Sequence, residues 1–186
     1  MKRTLYLMFM ICVTMLLISC QKSTEYAPAE ITINGETYGT DLTELSLMNL
    51  SLTDSDIEPL KYMTNLIYLN IGYNEISDLS ALSGLTSLEN LFLAENPVSD
   101  INALSGLVNL TTLNLERTQV RDISALGGLA NLTILHLTES PPISDISVLY
   151  GLFNLEQLDV GEGQISEAQK EELLAALPDI WITEGY

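Results

Sequence analysis

Leucines return along this chain at a fixed spacing, and the polar residues between them are nearly as regular. Units open at Leu42, Leu66, Leu88, Leu110, Leu132 and Leu155, so that successive starts lie 24, 22, 22, 22 and 23 residues apart. Each unit reads L-x-x-L-x-[LIV]. Within L-x-[LIV] the apolar residues flank a polar one, which is the period of a strand with one face buried. The pattern then changes: Leu79, Leu82 and Leu85 follow at steps of three, and Ile101, Leu104 and Leu107 repeat them 22 residues later. Steps of three suit 3₁₀ or tight helical turns. A unit of this size cannot bury its own leucines, so the units must stack and share one core. Stacking at ~4.7 to 4.9 Å per strand makes a parallel sheet on one side and leaves the turns on the other.

A stack has two ends, and each exposes a strand edge that needs closing. Ile31–Ile33 and Glu36–Tyr38 flank Asn34-Gly35, the dipeptide that favours a two-residue hairpin turn. The other end carries Ser166-Glu167-Ala168-Gln169, a capping box, which predicts a helix to about Leu177 with Ile165, Leu173, Leu174 and Leu177 available to one face. Pro178 stops that helix, and Ile180–Thr183 reads as a last strand, with Trp181 expected to cover the end of the core.

The first residues follow another logic. Lys2 and Arg3 precede a mostly apolar run from Leu5 to Ile18, and Ser19 supplies a small residue before a cut. Fourteen residues at ~1.5 Å each span roughly 21 Å, short of the ~30 Å hydrocarbon core, so an export signal is favoured over a spanning helix. Leu17-Ile18-Ser19-Cys20 resembles the bacterial lipobox. That resemblance implies cleavage before Cys20, acylation of Cys20 and a lipid-anchored protein at the outer surface of a bacterial membrane. The expected organisation is a signal peptide at 1–19, a lipidated tether at 20–29, a cap hairpin at 30–41, six repeats at 42–165 and a C-terminal cap at 166–186.

The repeats themselves resemble the leucine-rich repeat. The 22-residue spacing and runs such as Asn74-Glu75-Ile76-Ser77-Asp78-Leu79 are similar to the internalin type of bacterial surface protein. The resemblance covers Leu42 to about Ile165. It implies an α/β solenoid with a concave parallel sheet, a convex side of short turns, and an asparagine ladder at Asn74 and Asn96. Leu50, Thr118, Ser140 and Gly163 fall in the same column of the other units, so the expected ladder is partial.

Composition narrows the function. Asp and Glu number 25 against 7 Lys and Arg, and loss of Lys2 and Arg3 with the signal leaves five basic residues and a net charge of −20. Nucleic acids and anionic membrane surfaces require a basic footprint, so neither is expected as a partner. Cys12 and Cys20 are the two cysteines, too few for a disulfide framework or a cysteine metal cluster. One histidine, His136, is too little for the usual nucleophile–base arrangements, and phosphate-cradling and zinc motifs are missing. No catalysis, cofactor or resident metal is expected. Asp78, Asp100, Asp122 and Asp145 recur at one point in successive units. Capping of the turns that follow is favoured over cation binding, because no unit has the dense oxygen set of a calcium loop.

Function is then expected on the concave sheet. Its outward positions should be polar if they only face water, yet Tyr68, Tyr73, Phe92 and Ile134 stand among them in neighbouring units. Exposed aromatics near an arginine have the composition of an interaction hot spot. Asn70, Asn114, Arg117, His136 and Asp159 complete the expected ligand-binding set. The favoured reading is a monomeric, surface-anchored module that grips a protein or peptide. Glycan or cell-wall binding through the aromatics, and a structural envelope component without a specific ligand, are the alternatives.

Overall fold

The computed structural model describes residues 27–185. The expected signal segment, Cys20 and the tether as far as residue 26 lie outside the described residues. The Asn34-Gly35 turn joins β1 (Glu30–Ile33) to β2 (Glu36–Gly39) as an antiparallel hairpin. Both turn residues have left-handed backbone, φ 50° at Asn34 and 82° at Gly35, which matches the twist of the strands it connects. Ile31 and Ile33 point inward and cover the first unit, with β1 lying against the 3₁₀ turn Glu58–Tyr62.

The repeats build a seven-stranded parallel sheet in chain order: β3 (Glu44–Ser46), β4 (Tyr68–Asn70), β5 (Asn90–Phe92), β6 (Thr112–Asn114), β7 (Ile134–His136), β8 (Gln157–Gly161) and β9 (Trp181–Gly185). Register follows the sequence offset, so Leu45, Leu69, Leu91, Leu113, Leu135 and Leu158 form one column, all buried. On the convex side the helix α1 (Asp54–Ile57) runs into Glu58–Tyr62, and later units use 3₁₀ turns at Ser80–Leu82, Asn102–Leu104, Ser124–Gly128 and Ser147–Gly151. The leucines at steps of three point in from these turns and meet the strand leucines in one continuous core. Burying each of them is worth roughly 1.5–3 kcal/mol, so the core grows with every unit added. The first unit is less complete: Leu42 and Leu50 are partly exposed, whereas Leu66, Leu88 and Leu110 at the same opening position as Leu42 are fully buried. Among the described residues no helix is long and apolar enough to cross a membrane.

Polar ladders fix the turns. Asn74 accepts from the N–H groups of Leu50 and Leu52 and donates to the carbonyls of Leu47 and Ile71. Asn96 accepts from Ile76 N–H and donates to Ile71 and Leu93. Thr118 and Ser140 carry the ladder on with hydroxyls, both donating to the Leu115 carbonyl. In the last unit Gln164, not Gly163, takes the position. Its Nε2 donates to Leu137 and its Oε1 accepts from Gly161 N–H, while Gly163 supplies the left-handed turn residue, φ 69°. Strand β8 runs on to Gly161, so its turn falls one residue later than in the inner units, and the longer glutamine spans the difference. The aspartate column caps: Asp78, Asp100, Asp122 and Asp145 accept from the N–H two residues ahead, at 2.8–2.9 Å. A second ladder runs along the rim, where Asn109, Asn131 and Asn154 each donate to a carbonyl of the preceding unit.

The C-terminal cap differs from its sequence reading in two places. Helix α2 (Glu167–Ala176) starts at the Ser166–Gln169 capping box and buries Leu173, followed by buried Leu177 and Ile180. Leu174, expected on the same face, is 40% exposed, because α2 meets the stack along a narrow stripe through Leu173 and Leu174 lies nearly a third of a turn away. Trp181, expected to cover the core, is 70% exposed. The β8–β9 register pairs it with Gln157 and pairs Leu158 with Ile182, so strand alternation turns Trp181 onto the open face and leaves Ile180 and Ile182 to close the end.

Candidate functional site

Two outward columns cross the concave sheet. Glu44, Tyr68, Asn90, Thr112, Ile134, Gln157 and Trp181 form the first, and Ser46, Asn70, Phe92, Asn114, His136, Asp159 and Thr183 the second. Seven strands at ~4.8 Å give a face about 29 Å wide. Each unit ends its strand with a sharp turn, so Asn49, Tyr73, Glu95, Arg117 and Glu139 share one position and one left-handed conformation, φ 51–59°. They border the two columns as a third.

Tyr68 and Phe92 sit in different columns of adjacent strands and meet diagonally, with ring centroids 5.4 Å apart and planes tilted by 42°. Both are half-buried, against each other and the pleat. Tyr73 lies apart from them in the turn column and is exposed. Ile134 stands half-buried two strands along from Tyr68's neighbour Asn90. The expected set omits Trp181, which extends the column of Tyr68 at the far end; the inward Ile180–x–Ile182 spacing is the signal that could have found it.

Several polar members of the expected set are engaged within the protein. The side-chain oxygens of Asn70 and Asn114 accept from the N–H of Gly72 and Glu116, two residues on, and so hold their own turns. At Gly72 a Cβ would come 3.2 Å from the Ala94 carbonyl oxygen, a close approach that glycine eases. Arg117 is clamped. Its Nε and Nη2 donate to the two oxygens of Glu139 at 2.7 Å, and its Nη1 reaches Glu95 at 2.5 Å. The hydrogen bonds with Glu139, then with Glu95, raise the guanidinium pKa further, and that of Glu139 is lowered by its own bonds with Arg117.

His136 and Asp159 are brought together by the 23-residue offset, with Nδ1 and Oδ2 2.5 Å apart. Gln157 donates Nε2 to both Asp159 oxygens. The three side chains form one hydrogen-bonded set, and among the described residues no cluster of three or more His, Cys, Asp or Glu side chains could hold a metal ion. Cys20, the expected lipidation site, lies outside the described residues.

The family described as leucine rich repeats (2 copies) matches residues 64–106 and 108–151. No curated protein matches the chain. Among solved structures, an internalin (inlF) from Listeria monocytogenes shares 25% identity at a TM-score of 0.64, covering 80% of this chain and 50% of its own. An internalin C2 from the same organism shares 28% at 0.61, covering 80% of this chain and 74% of its own. The functional domain of InlJ, also from Listeria monocytogenes, matches in fold at 0.63, with 23% identity over 78% of this chain and 30% of its own. This chain thus spans half the length of the first of these. The 22-residue register, the asparagine ladder, the parallel sheet and these likenesses agree: residues 64–151 are leucine-rich repeats, in a solenoid similar to those of the internalins.

Proposed function

We propose that the protein is a binding module, without catalytic activity, that grips a protein or peptide on its concave sheet. Leucine-rich repeat proteins of this type generally bind protein partners. The observation that carries the reading is the Tyr68–Phe92 pair, two aromatic rings in mutual contact on an open sheet face. A face that met only water would gain from such rings no more than their mutual cross-strand packing, whereas an interface draws large, rigid contact area from them. Trp181, 70% exposed in the column of Tyr68, adds a second anchor at the other end. In this reading the protein is a monomer tethered by lipid on Cys20 at the outer face of a bacterial membrane.

The test is a crosslinking pulldown from the native envelope with wild type and the Tyr68→Ser/Phe92→Ser variant, after both are shown to melt alike. A protein captured by wild type alone supports the reading; equal capture by both overturns it. The anchor is tested separately, by whether Cys20→Ala moves the protein from the membrane to the soluble fraction.

A further inference from the structure

The concave face also carries a charge pattern that selects among partners. Arg117 is the sole lysine or arginine there among the described residues; Lys61 lies on the convex turn Glu58–Tyr62, Lys170 on α2, and Arg121 beyond the ladder turn. Arg117 is already engaged, held by Glu95 and Glu139 through three of its five N–H donors, so this cluster of one cation and two carboxylates is itself net negative. An anionic ligand approaching Arg117 would meet Glu95 and Glu139 with it, two negative charges against one positive.

At the N-terminal end of the sheet the opposite holds. Glu44 is exposed on β3 and directly in register with Tyr68, whose ring meets Phe92 one strand further on. Glu44 takes part in none of the ion pairs among the described residues. A carboxylate ~4.8 Å from the strand of an aromatic pair offers a cation a counter-charge on one side and ring faces on the other. The net charge of −18 adds a long-range field of the same sign, which speeds encounter with basic partners and repels acidic ones.

We propose that Glu44, Tyr68 and Phe92 form a seat for an arginine or lysine side chain of a basic protein segment. This rests on the concave-face reading above and names the chemistry of its partner. The probe is an arginine hexapeptide, titrated into the isotopically labelled protein and followed by amide chemical shifts, with a glutamate hexapeptide and a serine hexapeptide beside it. Shifts centred on Glu44, Tyr68 and Phe92 are expected with the arginine peptide alone. Glu44→Gln should weaken its binding at least fivefold, while Glu171→Gln, the same charge change on exposed α2, should leave it within twofold. Shifts spread over the convex aspartates, or equal losses in both variants, would show general attraction to an acidic protein and overturn the seat. Binding of the serine or glutamate peptide at the same residues would also overturn it while leaving the concave-face reading intact. If no peptide perturbs the concave residues, the seat falls, and the pulldown with Tyr68→Ser/Phe92→Ser then decides the broader reading by itself.

Discussion

Arg117 holds Glu139 in the next unit by a paired interaction, Nε and Nη2 each 2.7 Å from one carboxylate oxygen. Both residues occupy the left-handed turn position of their units, so the pair links consecutive turns along the stack as the ladders do beneath it. It is exposed, and its contribution should therefore depend on salt.

That dependence joins a pH dependence of known sign. Glu139 titrates below its usual 4.5 because of its hydrogen bonds from Arg117. Asp122 and Asp145 titrate below 3.8, held by Ser124 and Ser147 at the turns that follow them. For Asp54, partial burial alone would raise the value, but the N–H groups of Asp78 and Ser77 and the Ser77 hydroxyl bring it below 3.8. Carboxylates lowered on folding contribute stability that is present above their unfolded values and lost as pH falls through the folded ones. Melting temperature should therefore hold from pH 7 to about 5 and fall steeply below about 4. Asp54→Asn should flatten that fall. Thermal melts of both proteins from pH 7 to pH 3 check it, and an unchanged acid slope in the variant would refute the assignment.

The ladder makes a stronger prediction. Asn96 is 2% exposed and satisfies one N–H and two carbonyls from two units. Asn96→Ala leaves them buried without partners, at about 1–3 kcal/mol for each group that water cannot reach, and roughly 3 kcal/mol in all is expected. In a domain of this size that lowers the melting temperature by roughly 6–12 °C. Thr118→Ala removes a hydroxyl that bonds the Leu115 carbonyl and the Ser140 hydroxyl, but Ser140 still donates to that carbonyl, and the change should cost about 1 kcal/mol. Calorimetry on the two variants gives the ratio directly.

How legible all this is in the sequence depends on whether a residue obeys the repeat or breaks it. Leu69, Leu91 and Leu113 are placed by period alone, and so are the capping aspartates, because each inner unit poses the same steric problem and solves it in the same way. Where a strand runs on, counting fails: Gln164 lies one residue past the column, and only its reach back to Leu137 reveals its role. The rim asparagines form a visible column that looks like ordinary loop polarity, and only their bonds to the preceding unit set it apart. Asn70 and Asn114 look like ligand contacts among the outward positions, yet their oxygens serve their own turns. The size and apolar character of Trp181 suggest burial, while strand alternation, which decides the matter, sends it outward.

Trp181 supplies a direct optical check, since it is the only tryptophan in the chain. An exposed indole should emit at long wavelength and be quenched efficiently by acrylamide in the native protein. Trp181→Ser should change stability by about 0.5 kcal/mol or less, as a surface substitution does. A tryptophan that sealed the core would instead show blue-shifted, protected emission and a cost of about 3–5 kcal/mol on truncation.

The turn column allows backbone and ligand roles to be separated at Tyr73. Its φ of 59° is unfavourable for an L-residue, and a branched side chain worsens the clash with its own backbone. Its N–H donates to the Ala94 carbonyl at 2.7 Å, so the conformation is pinned by the next unit and cannot relax without breaking the stack. Tyr73→Asn should be neutral or slightly stabilising, because asparagine visits this region readily, and Tyr73→Val should cost about 1–2 kcal/mol. Denaturant melts of both variants measure this. If Tyr73 also contacts the partner, Tyr73→Asn will lower binding with its fold intact, whereas an effect confined to Tyr73→Val assigns the residue to the turn alone.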